Sequence, residues 1–178
     1  MFYLISFQFN DWFSITMPRH QLIQLPLMLL LGIIIAFTLP KLIIKELHWG
    51  ISALIFIMAS LVFWMLPLSI DFTIVSESFN RLMHVNMLIC GVLLIATFRG
   101  IIFELKYIFM GMVSAMLAST GLSLSVFNIL LCSSFDIEQQ KETGLLLIII
   151  GVSLFVANIV FFFRALSKKN IKDEQLAG

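Results

Sequence analysis

Charge is scarce in this chain: eleven Lys and Arg and ten Asp and Glu make up 12% of 178 residues. A soluble domain carries about twice that fraction. The net charge of +1 offers no basic surface for nucleic acid. Cysteine is scarcer still. The only two, Cys90 and Cys132, lie in different hydrophobic segments, which excludes a disulfide framework. The chain also lacks a Ser-His-Asp set, a Gly-rich phosphate loop, a Cys-x-x-Cys pair and an inward carboxylate dyad. No familiar active site is therefore legible, and a non-enzymatic role is expected. The apolar segments hold no buried charges of the kind that proton- or ion-coupled transport uses.

What the chain has instead is apolar length. Hydrophobic residues make up 61% of it, and the mean hydropathy is +1.08. A helix needs roughly twenty apolar residues to cross about 30 Å of hydrocarbon. Five segments qualify: Leu22 to Ile44, Trp49 to Ile70, Phe79 to Phe98, Tyr107 to Leu131, and Leu145 to Leu166. The expected fold is all-α, a polytopic membrane bundle of five transmembrane helices filling 19–166. Membrane lipid is its first partner. Thr16 or Met17 is placed to cap the first helix, with Pro18 in the first turn, where its missing N–H costs nothing. Pro26 falls inside that helix and predicts a kink.

Before the first span, residues 1–18 lack the basic stretch and cleavage site of a secretory signal. They carry Phe2, Tyr3, Phe7, Phe9, Trp12 and Phe13 interleaved with Gln8, Asn10 and Asp11. Such a mixture suits the headgroup zone and reads as an interfacial segment. Residues 167–178 form a basic, polar tail suited to an anionic lipid surface.

The basic residues divide unevenly between the two ends of the spans. Arg19, Arg81 and Lys141 make three on one side. Lys41, Lys45, Arg99, Lys106, Arg164, Lys168, Lys169 and Lys172 make eight on the other. The positive-inside rule puts the eight in the cytoplasm, the N-terminus outside and the C-terminus inside. The expected home is the inner (plasma) membrane. The outer side then carries six of the ten acids, a field that attracts cations.

This topology sorts the histidines. His20 opens span one and His84 lies about a turn into span three, both at the outer face. Met17 is three residues before His20 and Met87 three after His84, so each pair shares a helix face. Met83 adjoins His84, and Met65 ends span two on the same side. Imidazole with thioether suits cuprous copper better than zinc or magnesium. Two other readings stay open: a structural histidine pair with methionine as filler, and bis-histidine haem. His48, beside Trp49 at the opposite face, reads as an interface anchor. Span four carries Gly111, Ala115, Ala118 and Ser119, with Ser114, Thr120, Ser123, Ser125 and Asn128 around them. Span five carries Gly144, Gly151 and Asn158 on one face. Both patterns read as close helix packing. Arg99 and Glu104 flank a turn and are expected to be solvated.

Four motifs at helix ends, Met17-Pro18-Arg19-His20, Phe63-Trp64-Met65-Leu66-Pro67, Arg81-Leu82-Met83-His84 and Asp136-Ile137-Glu138-Gln139-Gln140, follow an order that resembles the CtaG family of cytochrome c oxidase assembly factors. Met17-Pro18-Arg19-His20, with Leu22 through Pro26 to Gly32, is similar to the family's Met-x-x-His-Leu-Leu and Pro-Leu-Leu run. Phe63-Trp64-Met65-Leu66-Pro67 to Asp71 resembles its Trp-His-x-Pro segment and following Asp. Arg81-Leu82-Met83-His84, followed by Gly91, resembles the start of its next span. Asp136-Ile137-Glu138-Gln139-Gln140, with Gly144 and Leu145, is similar to its Asp-Gln-Gln and Gly-Leu. The resemblance covers about 17–147. It departs where the family has two further spans, a histidine at Thr16, a histidine at Met65 and an uninterrupted Asp-Gln-Gln. It implies a membrane factor for haem–copper oxidase assembly that handles copper at the external face. Its partners would be oxidase subunits or a copper donor protein. His20 and His84 would be the metal residues, Met17, Met65, Met83 and Met87 softer candidates, and Asp71, Asp136 and Gln140 entrance or partner contacts. The alternatives are a non-catalytic accessory subunit docked on a respiratory oxidase and a b-type haem protein.

Overall fold

Apolar helices govern the architecture. The computed structural model describes residues 3, 6, 8–126 and 131–177, with backbone alone for Asp11 and 168–177. Phe2, Phe7 and Asn128 lie outside the described residues, as do the side chains of Lys168, Lys169 and Lys172. The elements are α1 (Asn10–Ser14), α2 (Met17–Thr38), α3 (Leu47–Met65), α4 (Pro67–Val75), α5 (Glu77–Gly100), α6 (Phe103–Val126) and α7 (Ile137–Ala177). No strand occurs among the described residues. Five of the helices (α2, α3, α5, α6 and α7) are long and apolar enough to cross a membrane.

The helix ends depart from the expected ones for identifiable reasons. Helix α2 begins at Met17, with Thr16 extended and Pro18 in the first turn. It stops at Thr38 rather than Ile44, because Pro40 disfavours helical backbone at Leu39. Helix α3 stops at Met65 rather than Ile70. Leu66 is extended ahead of Pro67, which opens the separate helix α4. Helix α5 is capped by Ser76, whose Oγ accepts from the Phe79 N–H at 3.4 Å. Helix α7 starts at Ile137 rather than Leu145 because the Asp136 carboxylate takes the Gln139 N–H at 2.8 Å. Its backbone stays helical to Ala177.

Helices α2 and α5 run parallel in close contact. Asn10 ties Gln24 to Asn80 at one end, and the Ile44 N–H reaches the Ala96 carbonyl at the other, at 3.1 Å. Between these, Gly32 and Gly91 abut, and a methyl group on either would run into the partner's backbone. Small residues allow this approach. Helices α6 and α7 pair in the same manner: Gly121 faces the Gly144 carbonyl, and Gly151 faces Ser114 and Ala118. Gly111 lies against Asn158, whose amide donates to the Tyr107 carbonyl at 3.0 Å. Helix α3 packs on the far side of α5, where the Trp64 indole donates to Asn86 at 2.9 Å.

Arg99 does not simply stand in solvent. Its guanidinium takes the carbonyls of Leu39 at 2.9 Å and Leu42 at 3.4 Å, closing the chain after α2. His48 lies at the surface beside Glu46, at 3.3 Å, and Trp49. One buried cluster joins Leu25, Met28, Ile57, Trp64, Met83, Met87 and Cys90 through the middle of the bundle. A second gathers Met17, Met65, Ile70, Leu124, Cys132 and Leu147. Helix α1, helix α4 and loop 131–136 all meet at the α2 N-terminal end of the bundle.

Candidate functional site

Polar side chains are few in the spans, so those that are buried define the site. Helix α2 opens with a π-helical turn, His20–Gln24, in which the Leu25 N–H reaches back to the His20 carbonyl. Such turns arise where the regular ladder is interrupted, and they recur at functional sites. Pro26 lies two residues after this one, which makes the disturbance expected at Pro26 a widened turn upstream of it. The turn buries His20, Gln21 and Gln24 together.

His20 is fully engaged. Its Nδ1 lies 2.7 Å from the Gln24 amide oxygen, and its Nε2 lies 3.0 Å from the Thr73 hydroxyl. The Gln24 oxygen can only accept, so Nδ1 carries the single proton of the neutral ring and Nε2 accepts from the Thr73 hydroxyl, which also lies 2.6 Å from the Ile70 carbonyl. The Gln24 amide donates onward to Asn10 Oδ1 at 3.1 Å, and the same oxygen accepts from the Asn80 amide. One hydrogen-bonded chain, Thr73–His20–Gln24–Asn10–Asn80, thus joins α4, α2, α1 and α5.

His84 lies one turn beyond Asn80 on α5 and is its counterpart in reverse. It is 0% exposed, and neither ring nitrogen has a hydrogen-bond partner among the described residues. Both amide atoms of Gln21 and the Asn80 oxygen share that condition. Native structures leave few buried polar atoms unbonded, and each costs about 1–3 kcal/mol. The two imidazoles lie within Coulombic reach of each other. They do not stand level, however. Gly32 opposite Gly91 sets an offset of 59 residues between the parallel helices, whereas His20 and His84 differ by 64. Five residues of rise put their backbone positions roughly 7 Å apart along the axis.

The remaining candidates divide between the two clusters. Met83 and Met87 are buried in the central one, Met87 three residues after His84. Met17 and Met65 pack in the other, with Cys132. Among the described residues, no group of three or more His, Cys, Asp or Glu side chains is placed to hold a metal ion.

Asp71, Asp136 and Gln140 organise loop 131–136. Asp71 accepts from the Ser133 N–H and hydroxyl at 2.8 and 2.9 Å and from the Ser134 N–H at 2.9 Å. Gln140 accepts from the Leu131 N–H at 3.0 Å and donates to the Cys132 and Phe135 carbonyls at 3.3 and 3.2 Å. Asp136 caps α7. Burial, reinforced by the Asp71 charge, pushes the Cys132 thiol up to about 12. Partial burial raises the Asp71 carboxyl, but the Ser133 and Ser134 donors outweigh it and hold the group below its ordinary value.

This lowered value sets a pH dependence. A depressed folded-state carboxyl contributes stability above its unfolded value and loses it as pH falls through the folded one. Asp71→Asn is expected to unfold a few degrees below wild type at pH 7. The gap should close as pH drops below 3.8, the ordinary carboxyl value. Thermal melts of both proteins across pH 2–7 check this. A gap that persists at the lowest pH would contradict it.

Gln21, Gln24, Thr73 and Asn80 join the site without standing out in the sequence. Two glutamines and an asparagine inside otherwise apolar helices were the available signal. No known protein family, curated protein or solved structure matches the chain.

Proposed function

We propose that this chain is a multi-pass factor of the inner (plasma) membrane, of the CtaG type, that handles cuprous copper for the maturation of a haem–copper oxidase. The copper end is the one where α1, α4 and loop 131–136 gather, facing away from the cytoplasm. The N-terminus is outside and the C-terminus cytoplasmic. One observation carries the reading: a fully buried imidazole, His84, whose two nitrogens have no hydrogen-bond partner among the described residues. Met83 adjoins it in sequence and Met87 lies three residues on, both buried on the same helix. Imidazole and thioether together favour the soft cuprous ion. Copper here is cargo for a partner, taken from a donor protein and passed to an oxidase subunit.

His84 would hold the ion, with Met87 and Met83 as soft companions. Both nitrogens of His20 are already bonded, which suits a positioning role: through Gln24 and Asn10 it orders Asn80 and the start of α5. Bis-histidine haem would need two free imidazoles, and His20 offers none without breaking its bonds. The orientation rests on the basic residues, three at the copper end and eight at the other.

The test is made in the cell that encodes the chain. Removing the gene should lower the copper content of its haem–copper oxidase several-fold. Wild type should restore it, and His84→Ala should not. Full copper in the deletion strain would defeat the proposal. Stoichiometric co-purification with the oxidase, with His84→Ala fully active, would favour a non-catalytic accessory subunit instead.

A further inference from the structure

Asn10 occupies a singular position in the bundle. Its side-chain oxygen receives the Gln24 amide from α2 and the Asn80 amide from α5 at once. Gln24, Asn80 and His84 are 0%, 2% and 0% exposed, so with this arrangement intact nothing from water reaches His84. The element that carries Asn10 is a single five-residue helix. A helix of that length has no stability of its own and stays in place only through its contacts. Among the described residues, three contacts hold it. Phe13 is buried in the central cluster, the Arg19 guanidinium stacks on Trp12 at 4.4 Å, and Asn10 makes the two amide bonds. By contrast, the Gly32–Gly91 contact between α2 and α5 is backbone against backbone and has no room to slide.

We infer that α1 is the door of the His84 site and that Asn10 is its latch. A guest enters or leaves when Asn10 releases Gln24 and Asn80 together and α1 swings off the bundle end. The long helices stay packed. The inference rests on the reading of His84 as the guest-binding side chain, but its consequence is an accessibility that needs no copper to measure. Asn10 sits one turn of α5 above His84, through Asn80. Freeing Asn80 and Gln24 therefore uncovers the imidazole before anything deeper.

The experiment uses the full-length protein in lipid nanodiscs without metal. Carbethoxylation of each histidine by diethyl pyrocarbonate is followed by peptide mass spectrometry. Maleimide labelling of Cys90, 0% exposed in the central cluster, reports opening of the bundle itself. In wild type, His84 should react slowly and the exposed His48 fast. Asn10→Ala should accelerate His84 at least tenfold and leave His48 and Cys90 unchanged. Trp12→Ala, which loosens α1 by removing the Arg19 stack, should accelerate His84 in the same direction. An unchanged His84 rate in both variants would overturn the inference. So would equal acceleration of Cys90, because the bundle and not α1 would then be opening. Failure of the copper reading would appear separately, as an oxidase that keeps its copper without this protein.

Discussion

Gly91→Val is expected to yield little folded protein. A Cβ at Gly91 would strike the Leu29 carbonyl and stand 2.9 Å from the Ile33 nitrogen and 3.0 Å from Gly32 Cα. All three are backbone atoms, so no rotamer relieves the overlap and α2 must move off α5. That contact orders the site, because α2 carries His20 and Gln24 and α5 carries Asn80 and His84. Helix association in a membrane depends on such close packing rather than on hydrophobic drive. Overpacking here should cost more than about 3 kcal/mol. Gly111→Ala is the matched control. Its new methyl would meet only the Asn158 amide at 3.5 Å, an ordinary contact, and should change stability by less than about 0.5 kcal/mol. Yield and thermal unfolding in a mild detergent check both, and equal behaviour of the two variants would contradict the packing described.

The second large effect is a divergence between the histidines. His84→Leu removes two buried nitrogens that bond nothing among the described residues, and keeps a similar volume. In the absence of metal it should raise stability by about 1–2 kcal/mol. His20→Leu strips the buried Gln24 oxygen of its partner and should cost about 1–3 kcal/mol. Two structural histidines would both lose stability on replacement. A gain at His84 marks a group kept for what it binds, since sites that serve function are often retained at the expense of stability. Unfolding midpoints of the two variants, measured without metal, decide this. A destabilised His84→Leu would mean that the imidazole is structural.

Much of this could be read from the chain. Five spans follow from hydropathy because apolar length accumulates residue by residue, and Thr16 and Pro18 mark the start of α2. The small residues Gly111, Ala118, Gly144 and Gly151 foretold the α6–α7 seam, since the spacing that puts them on one face is local, whereas Ala115 and Ser119, read with them, are exposed. The breaks were harder. Pro67 was visible, yet the apolar run around it masked a change of direction, so α4 was merged into α3. Polar residues near Leu145 hid two further helical turns that the Asp136 cap makes possible. The hydrogen-bonded chain lay beyond reach for a different reason. Asn10 meets Asn80 across 70 positions, and such closure depends on how whole helices pack. The interfacial reading of residues 1–18 likewise left Asn10 and Phe13 without the inward contacts they make.

The most direct measurement of the central claim is the copper retained by purified protein after cuprous loading and desalting. Wild type should hold one ion per chain, His84→Leu none, and His20→Leu a reduced share. Equal copper in wild type and His84→Leu would contradict the account.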